Sequence, residues 1–343
     1  MIKTTLISQN YHGWGAIEVL PEEVRRLNAT KVLIITDPFL QKSGMLKKIT
    51  ALLDSINVSY LINSDIIPEP PLSNAEKLVA FARTLEIDLV IGLGGGSALD
   101  IAKLVAALIP QEGDVKDFLN LSGQKKLANV SVPKIMLPTT SGTGSEVTNI
   151  SVLSLENTKD AVVHDALLAD SVIVDPAFTV SVPPRVTAAT GIDALTHAIE
   201  SYVSVNATPI SEGLSLQAIK LISKSLVTAV RDGQNQQARI DMSYGSYLAG
   251  LAFFNAGCAA VHALAYPLGG QFHLAHGESN AVLLPYVMDY IRPSCKEKLK
   301  DIYQAMGYDI SGLNIDKARY YVAVAQNLKY TLNRSKIFDA LNC

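Results

Sequence analysis

Cysteine, aromatic residues and charge are all scarce in this chain. Its three cysteines, Cys258, Cys295 and Cys343, lie far apart, and none belongs to a CxxC pair. That pattern excludes a disulfide framework and suits a reducing, cytoplasmic compartment. Tryptophan occurs once, aromatic residues make up 6% of the chain, and no run of lysine and arginine exists, so nothing favours a nucleic-acid partner. No apolar stretch approaches the roughly 18 residues that would suggest a membrane span. The start, Met1-Ile-Lys-Thr-Thr-Leu6, lacks a long apolar segment behind a basic one, so no signal peptide is expected either.

What the chain does have is apolar material and length. With 343 residues, 48% of them hydrophobic, it is expected to form about two domains with well-buried interiors. The first half alternates strand and helix signals. Lys31–Asp37, Val58–Asn63, Asp88–Gly94, Lys134–Pro138 and Ser171–Asp175 are short apolar runs. Helical stretches separate them, as at 46–55, 73–85 and 98–108. Near-continuous apolar strands alternating with helices predict a parallel sheet covered on both faces. Beyond Pro183-Pro184 the strand signals vanish, and 186–290 reads as helix throughout. The expected division is an α/β domain at 1–180 and an all-helical domain at 181–343.

Two loops in the first half suit a nucleotide. Gly92-Leu-Gly94-Gly95-Gly96-Ser97 ends an apolar strand and opens a helix. Glycines let the backbone approach a diphosphate there, and the helix N-terminus offers free N–H groups to it. The spacing is not the usual G-x-G-x-x-G, so a tight strand-to-helix turn is the alternative. Pro138-Thr139-Thr140-Ser141-Gly142-Thr143-Gly144-Ser145-Glu146 also follows a strand and is rich in hydroxyls. Asp37, at another strand tip, suits ribose hydroxyls and would repel a 2′-phosphate, favouring NAD over NADP; its alternative role is a helix cap before Pro38.

In the second half, Asp193 and His197 stand four apart, on one face of a helix. His262 and His276 follow in Val261-His-Ala and Ala275-His-Gly. An aspartate with three imidazoles suits divalent iron or zinc. The bland alternative for the Asp193/His197 pair alone is a salt-bridged helix face.

In order along the chain, Tyr11–Ala16, Asp37, Gly94–Ser97, Pro138–Glu146, Asp175-Pro176, Asp193/His197, His262 and His276-Gly277 resemble the iron-containing (group III) alcohol dehydrogenases. The resemblance implies the dehydroquinate-synthase-like architecture: an N-terminal nucleotide-binding domain with a parallel sheet and a C-terminal helical domain. It implies Asp193, His197, His262 and His276 as ligands of Fe(2+) or Zn(2+). Gly94, Gly95, Gly96 and Ser97 match the diphosphate loop, and Thr139, Thr140 and Thr143 match the second cofactor loop. Lys159 falls where a nucleotide-contacting lysine is often found, with a solvated surface lysine as the alternative. Tyr266 stands where many members carry a histidine, and His273 appears nearby, as in a subset of the family. Phe254, Tyr266 and His273 are the expected pocket residues; His273 would line the pocket or relay a proton to solvent, with an ordinary polar pocket or surface histidine as the alternative.

The function so implied is reversible hydride transfer between a small primary alcohol or diol and NAD(H), in a homodimer. The alternatives are a polyol or hydroxy-acid dehydrogenase of the same superfamily and a truncated, non-catalytic relic. The last is suggested only by the sequence stopping at Ala340-Leu-Asn-Cys343, several helical turns before the usual end of the family.

Overall fold

The computed structural model describes residues 3–156, 158–272 and 274–311. They fall into two compact units. One is formed by the described residues of Leu6–Thr140 and Ser145–Thr179, the other by 3–5, Ser141–Gly144 and the described residues from Val180 to 311.

The first unit is built on a six-stranded parallel sheet. Its strands are β1 (Gln9–His12), β2 (Lys31–Ile35), β3 (Ser59–Asn63), β4 (Leu89–Gly94), β5 (Lys134–Pro138) and β8 (Ser171–Val174). Their order is β1-β8-β5-β4-β2-β3. The connecting helices are α1 (Leu20–Arg26), α2 (Pro38–Ser43), α3 (Met45–Asp54), α4 (Leu72–Arg83) and α5 (Gly96–Leu108). Every residue of β4, β5 and β8 is buried, which is why these runs read as unbroken apolar segments. All five strands expected from the sequence are present, within a residue or two of their bounds.

Three strands were not anticipated. β1 is a half-buried edge strand of polar composition, Gln-Asn-Tyr-His, and carries no apolar signal. β6 (Ile150–Ser154) and β7 (Lys159–Val163) form a separate antiparallel hairpin just after the hydroxyl-rich loop.

Two buried polar clamps hold this unit together. The Asp175 carboxylate accepts from the backbone N–H groups of Gly15, Ile17 and Ala177, joining the end of β8 to the loop after β1. Lys103, fully buried on α5, donates to Ser145 O at 2.8 Å and Thr148 Oγ1 at 3.0 Å, and its ammonium lies 3.1 Å from Asp100 Oδ1. The ammonium therefore ties α5 to the chain entering β6.

The second unit is helical, as expected: α6 (Pro184–Val203), α7 (Pro209–Arg231), α8 (Gln236–Ala256), α9 (Ala260–Phe272), α10 (His276–Ile291) and α11 (Lys296–Ala305). Pro184 opens α6 at the first helical position, where its missing N–H costs no hydrogen bond. Thr208 and Ser211 cap α7 reciprocally, and Asn235 caps α8. Ile192, Ile199, Ile222, Leu226, Met242 and Leu284 are among the side chains of one continuous core. Among the described residues no single helix is long and apolar enough to cross a membrane.

Candidate metal centre and nucleotide loop

Asp193 and His197 project from one face of α6, His262 from α9, and His276 from the first residue of α10. Asp193 Oδ1 lies 3.7 Å from His262 Nε2 and 3.6 Å from His276 Nε2. One donor atom from each of these three residues lies within 4.8 Å of the others. The Asn280 amide nitrogen, one turn beyond His276, is 2.7 Å from Asp193 Oδ1, 3.2 Å from His262 Nε2 and 3.4 Å from His276 Nε2. Three acceptors thus converge on a single nitrogen, while the carbonyl oxygen of the same amide is buried without a partner. A buried carboxylate, a buried imidazole and the half-buried imidazole of His276 converging on one point suit a divalent transition metal. The residues present fit such an ion.

His197 stands beside this point. Its Nδ1 is 4.0 Å from Asp193 Oδ1 and is buried with no hydrogen-bond partner. Its ring stacks on His262 on one side and Phe253 on the other, each at a centroid distance of 4.3 Å. The ring contact comes from Phe253, whereas the sequence pointed to Phe254 as a pocket residue. Burial pushes the His197 imidazole down to about 3, against the attraction of Asp193, so it is neutral and able to ligate. Burial opposes the charge on Asp193, but His197, His276 and His262 hold its carboxyl below the usual range.

Glu200, one turn after His197 on α6, was not anticipated. Its Oε2 is 2.6 Å from His262 Nδ1, and it accepts from the backbone N–H groups of Ala259 and Val261. Burial alone would raise its pKa, yet His262 and those two amides lower it. The resulting carboxylate fixes His262 with its proton on Nδ1 and its Nε2 lone pair turned toward Asp193. The sequence signal was present in Asp-Ala-Leu-Thr-His-Ala-Ile-Glu, whose acidic residues lie seven apart on the same helix face. Asn280 was legible in the same way, four residues after His276.

Tyr266 stacks on His276 at 6.1 Å with an interplanar angle of 20°. His273 lies outside the described residues. Gly277 fixes where His276 sits: a Cβ there would lie 2.2 Å from Ala189 O of α6, so only glycine lets the start of α10 approach α6 this closely.

In the α/β unit, Gly94 ends β4 at φ +155°, and a Cβ on it would meet Ala98 at 2.6 Å and Asp37 Oδ2 at 3.5 Å. Asp37 Oδ1 caps α2, accepting from Phe39 and Leu40 N–H, so the cap reading of the sequence holds. Asp37, Gly94, Gly95 and Thr140 are neighbours, with Thr140 Oγ1 3.4 Å from where a Gly95 Cβ would be. Thr139 N–H donates to Gly94 O. No side chain caps the start of α5, which leaves its first amides suited to an anion. Ser97 Oγ accepts from Glu69 N–H, and the Glu69 carboxylate pairs with Lys159 at 3.2 Å. The Lys159 side chain is buried at 8% exposure, which overturns the solvated alternative. Thr143 is grouped with the helical unit rather than with the other loop residues.

The chain thus combines a six-stranded parallel sheet with a helical unit that carries a carboxylate–imidazole cluster suited to a divalent metal. The family model for iron-containing alcohol dehydrogenase matches residues 8–176, and the C-terminal model of the Fe-containing alcohol dehydrogenase family matches residues 187–342. The chain is 64% identical over 308 residues to Long-chain-alcohol dehydrogenase 1 of Geobacillus thermodenitrificans, covering 90% of this chain and 78% of that protein. A solved structure of 1,3-propanediol oxidoreductase superposes with TM-score 0.91 at 36% identity, covering 96% of this chain and 87% of the other. Sulfoacetaldehyde reductase from Bifidobacterium kashiwanohense, solved in complex with NAD+, gives TM-score 0.87 at 27% identity, covering 100% and 92%. The chain belongs to the iron-containing alcohol dehydrogenase family and is an alcohol dehydrogenase-type oxidoreductase.

Proposed function

We propose that the chain is a metal-dependent, NAD-linked dehydrogenase that interconverts a primary aliphatic alcohol and its aldehyde. The observation that carries the reading is the convergence of Asp193, His262 and His276 on one buried point, with His262 oriented by Glu200. Asp193, His197, His262 and His276 would hold Fe(2+) or Zn(2+), whose contribution when bound is Lewis acidity toward an alcohol oxygen. Gly94, Gly95, Gly96, Ser97, Thr139 and Thr140 would hold the cofactor diphosphate, with Thr143 and Lys159 as further candidates. Asp37 would face the ribose. Nicotinamide chemistry is hydride exchange, and the NAD+ complex of a 27% identical structure supports that cofactor.

The chain's own contribution is orientation and proton handling. Glu200 keeps the His262 proton on Nδ1, which leaves Nε2 as the nitrogen that would face the ion. Tyr266, stacked on His276, restricts that ring and shields it on one side. His273 is assigned the proton relay to solvent on its position in the sequence, since an imidazole exchanges protons near neutral pH.

The relative named for long-chain alcohols supports an extended aliphatic substrate. The likeness to a 1,3-propanediol oxidoreductase supports the small diol expected from sequence as the second reading. Purified chain loaded anaerobically with Fe(II) or Zn(II) is tested by NADH formation with ethanol, octanol, hexadecanol, glycerol and 1,3-propanediol. Metal-dependent turnover rising with chain length supports the first reading, and a preference for the diol supports the second. Metal-loaded chain that oxidises none of them overturns both.

A further inference from the structure

Cys258 lies on the three-residue loop between α8 and α9, immediately before two backbone amides that Glu200 holds. Its sulfur and one donor nitrogen each of His197 and His262 lie within 4.8 Å of one another. Cys258 is an exposed residue, whereas both imidazoles are buried. His197 brings an independent observation: its Nδ1 is buried with no hydrogen-bond partner.

Two donor sets therefore share His262. Asp193, His262 and His276 offer one oxygen and two nitrogens, whereas His197, Cys258 and His262 offer one sulfur and two nitrogens. Soft thiolate prefers zinc-like ions, whereas a carboxylate suits harder ones. Resting on the metal-centre reading above, we infer that Cys258 is an alternative ligand: a thiophilic divalent ion, zinc included, partitions between the Asp193 set and the set of Cys258, His197 and His262. Because both sets need His262, a chain holds one ion at a time. Ligation by sulfur releases the thiol proton to solvent and moves no electrons between atoms.

Cobalt(II) is the probe. The full chain, reduced and anaerobic with its free thiols counted, is loaded with Co(II), and metal per chain and the absorption spectrum are recorded. A sulfur-to-cobalt charge-transfer band in the near ultraviolet is expected at one cobalt per chain. That band is lost in Cys258→Ala and Cys258→Ser and kept in Cys295→Ala and Cys343→Ala. Since Cys258 is exposed on a loop, neither of its variants disturbs the core. One bound cobalt without the band overturns the thiolate ligand and leaves the metal centre standing. A band that survives Cys258→Ala also overturns it. Failure to bind cobalt at all sinks both the inference and the reading on which it rests.

Discussion

At the scale of single residues, the centre depends on groups that never need to touch an ion. Glu200 sets the His262 tautomer and pins the loop before α9. Glu200→Gln keeps the shape but removes the charge that stabilises the Nδ1 proton. Metal affinity is expected to fall about 10- to 100-fold, measured by competition with a coloured chelator, while the far-UV spectrum is unchanged. An unaltered affinity would assign Glu200 to loop structure alone.

A second titratable group, Glu146, is buried in the α/β unit, and burial raises its carboxyl from 4.5 to about 7. At this group the folded chain then binds more protons than the unfolded chain between those values, so its contribution to stability is fully present below pH 4.5 and is lost as pH rises through 7. The difference amounts to about 3 kcal/mol by the linkage between pKa and free energy. Glu146→Gln is expected to flatten the urea midpoint across that window. A slope identical to the parent's would place the titration elsewhere.

At the scale of elements, α10 is seated by the absence of a side chain. Alanine at Gly277 would put its Cβ 2.2 Å from a backbone oxygen of α6, which cannot rotate away. Gly277→Ala is expected to lower stability by about 1–3 kcal/mol as an overpacked contact and to weaken metal binding by moving His276. Denaturant midpoints and metal titration read the two effects separately, and a variant that loses neither would show that α10 can slide.

The elements themselves differed in how far the sequence revealed them. β4, β5 and β8 were legible because strands buried on both faces must be apolar throughout. β1 was not, because an edge strand of Gln, Asn, Tyr and His is specified by pairing with β8 rather than by its own pattern. β6 and β7 are five-residue strands whose pairing is likewise a long-range property. In the centre, the Asp193/His197 spacing was readable because both residues lie on one helix. The stacking of His197 on His262 joins two helices and the approach of Cys258 adds the loop before α9, and no periodicity within a single element encodes either.

At the scale of the whole molecule, every candidate metal ligand belongs to the helical unit. Binding therefore stabilises that unit first, by about 4 kcal/mol when the free ion is a thousand times its dissociation constant. Hydrogen exchange with and without Zn(II) is expected to show added protection in 184–203 and 260–291 and little in the strands of the sheet. Protection spread evenly over both units would mean that they unfold as one.

The helical unit also includes the opening residues: Thr5 N–H donates to Asn255 Oδ1 at 2.7 Å, and Asn255 Nδ2 donates back to Thr5 O at 3.0 Å. On the ribosome these partners emerge 250 residues apart. The nascent chain must keep its first segment available until α8 appears, and at about 5–20 residues per second that interval is on the order of tens of seconds. A substitution that removes the Asn255 amide would leave that early segment without its late partner, so its cost should fall on the yield of completed folding rather than on the chemistry of the finished protein.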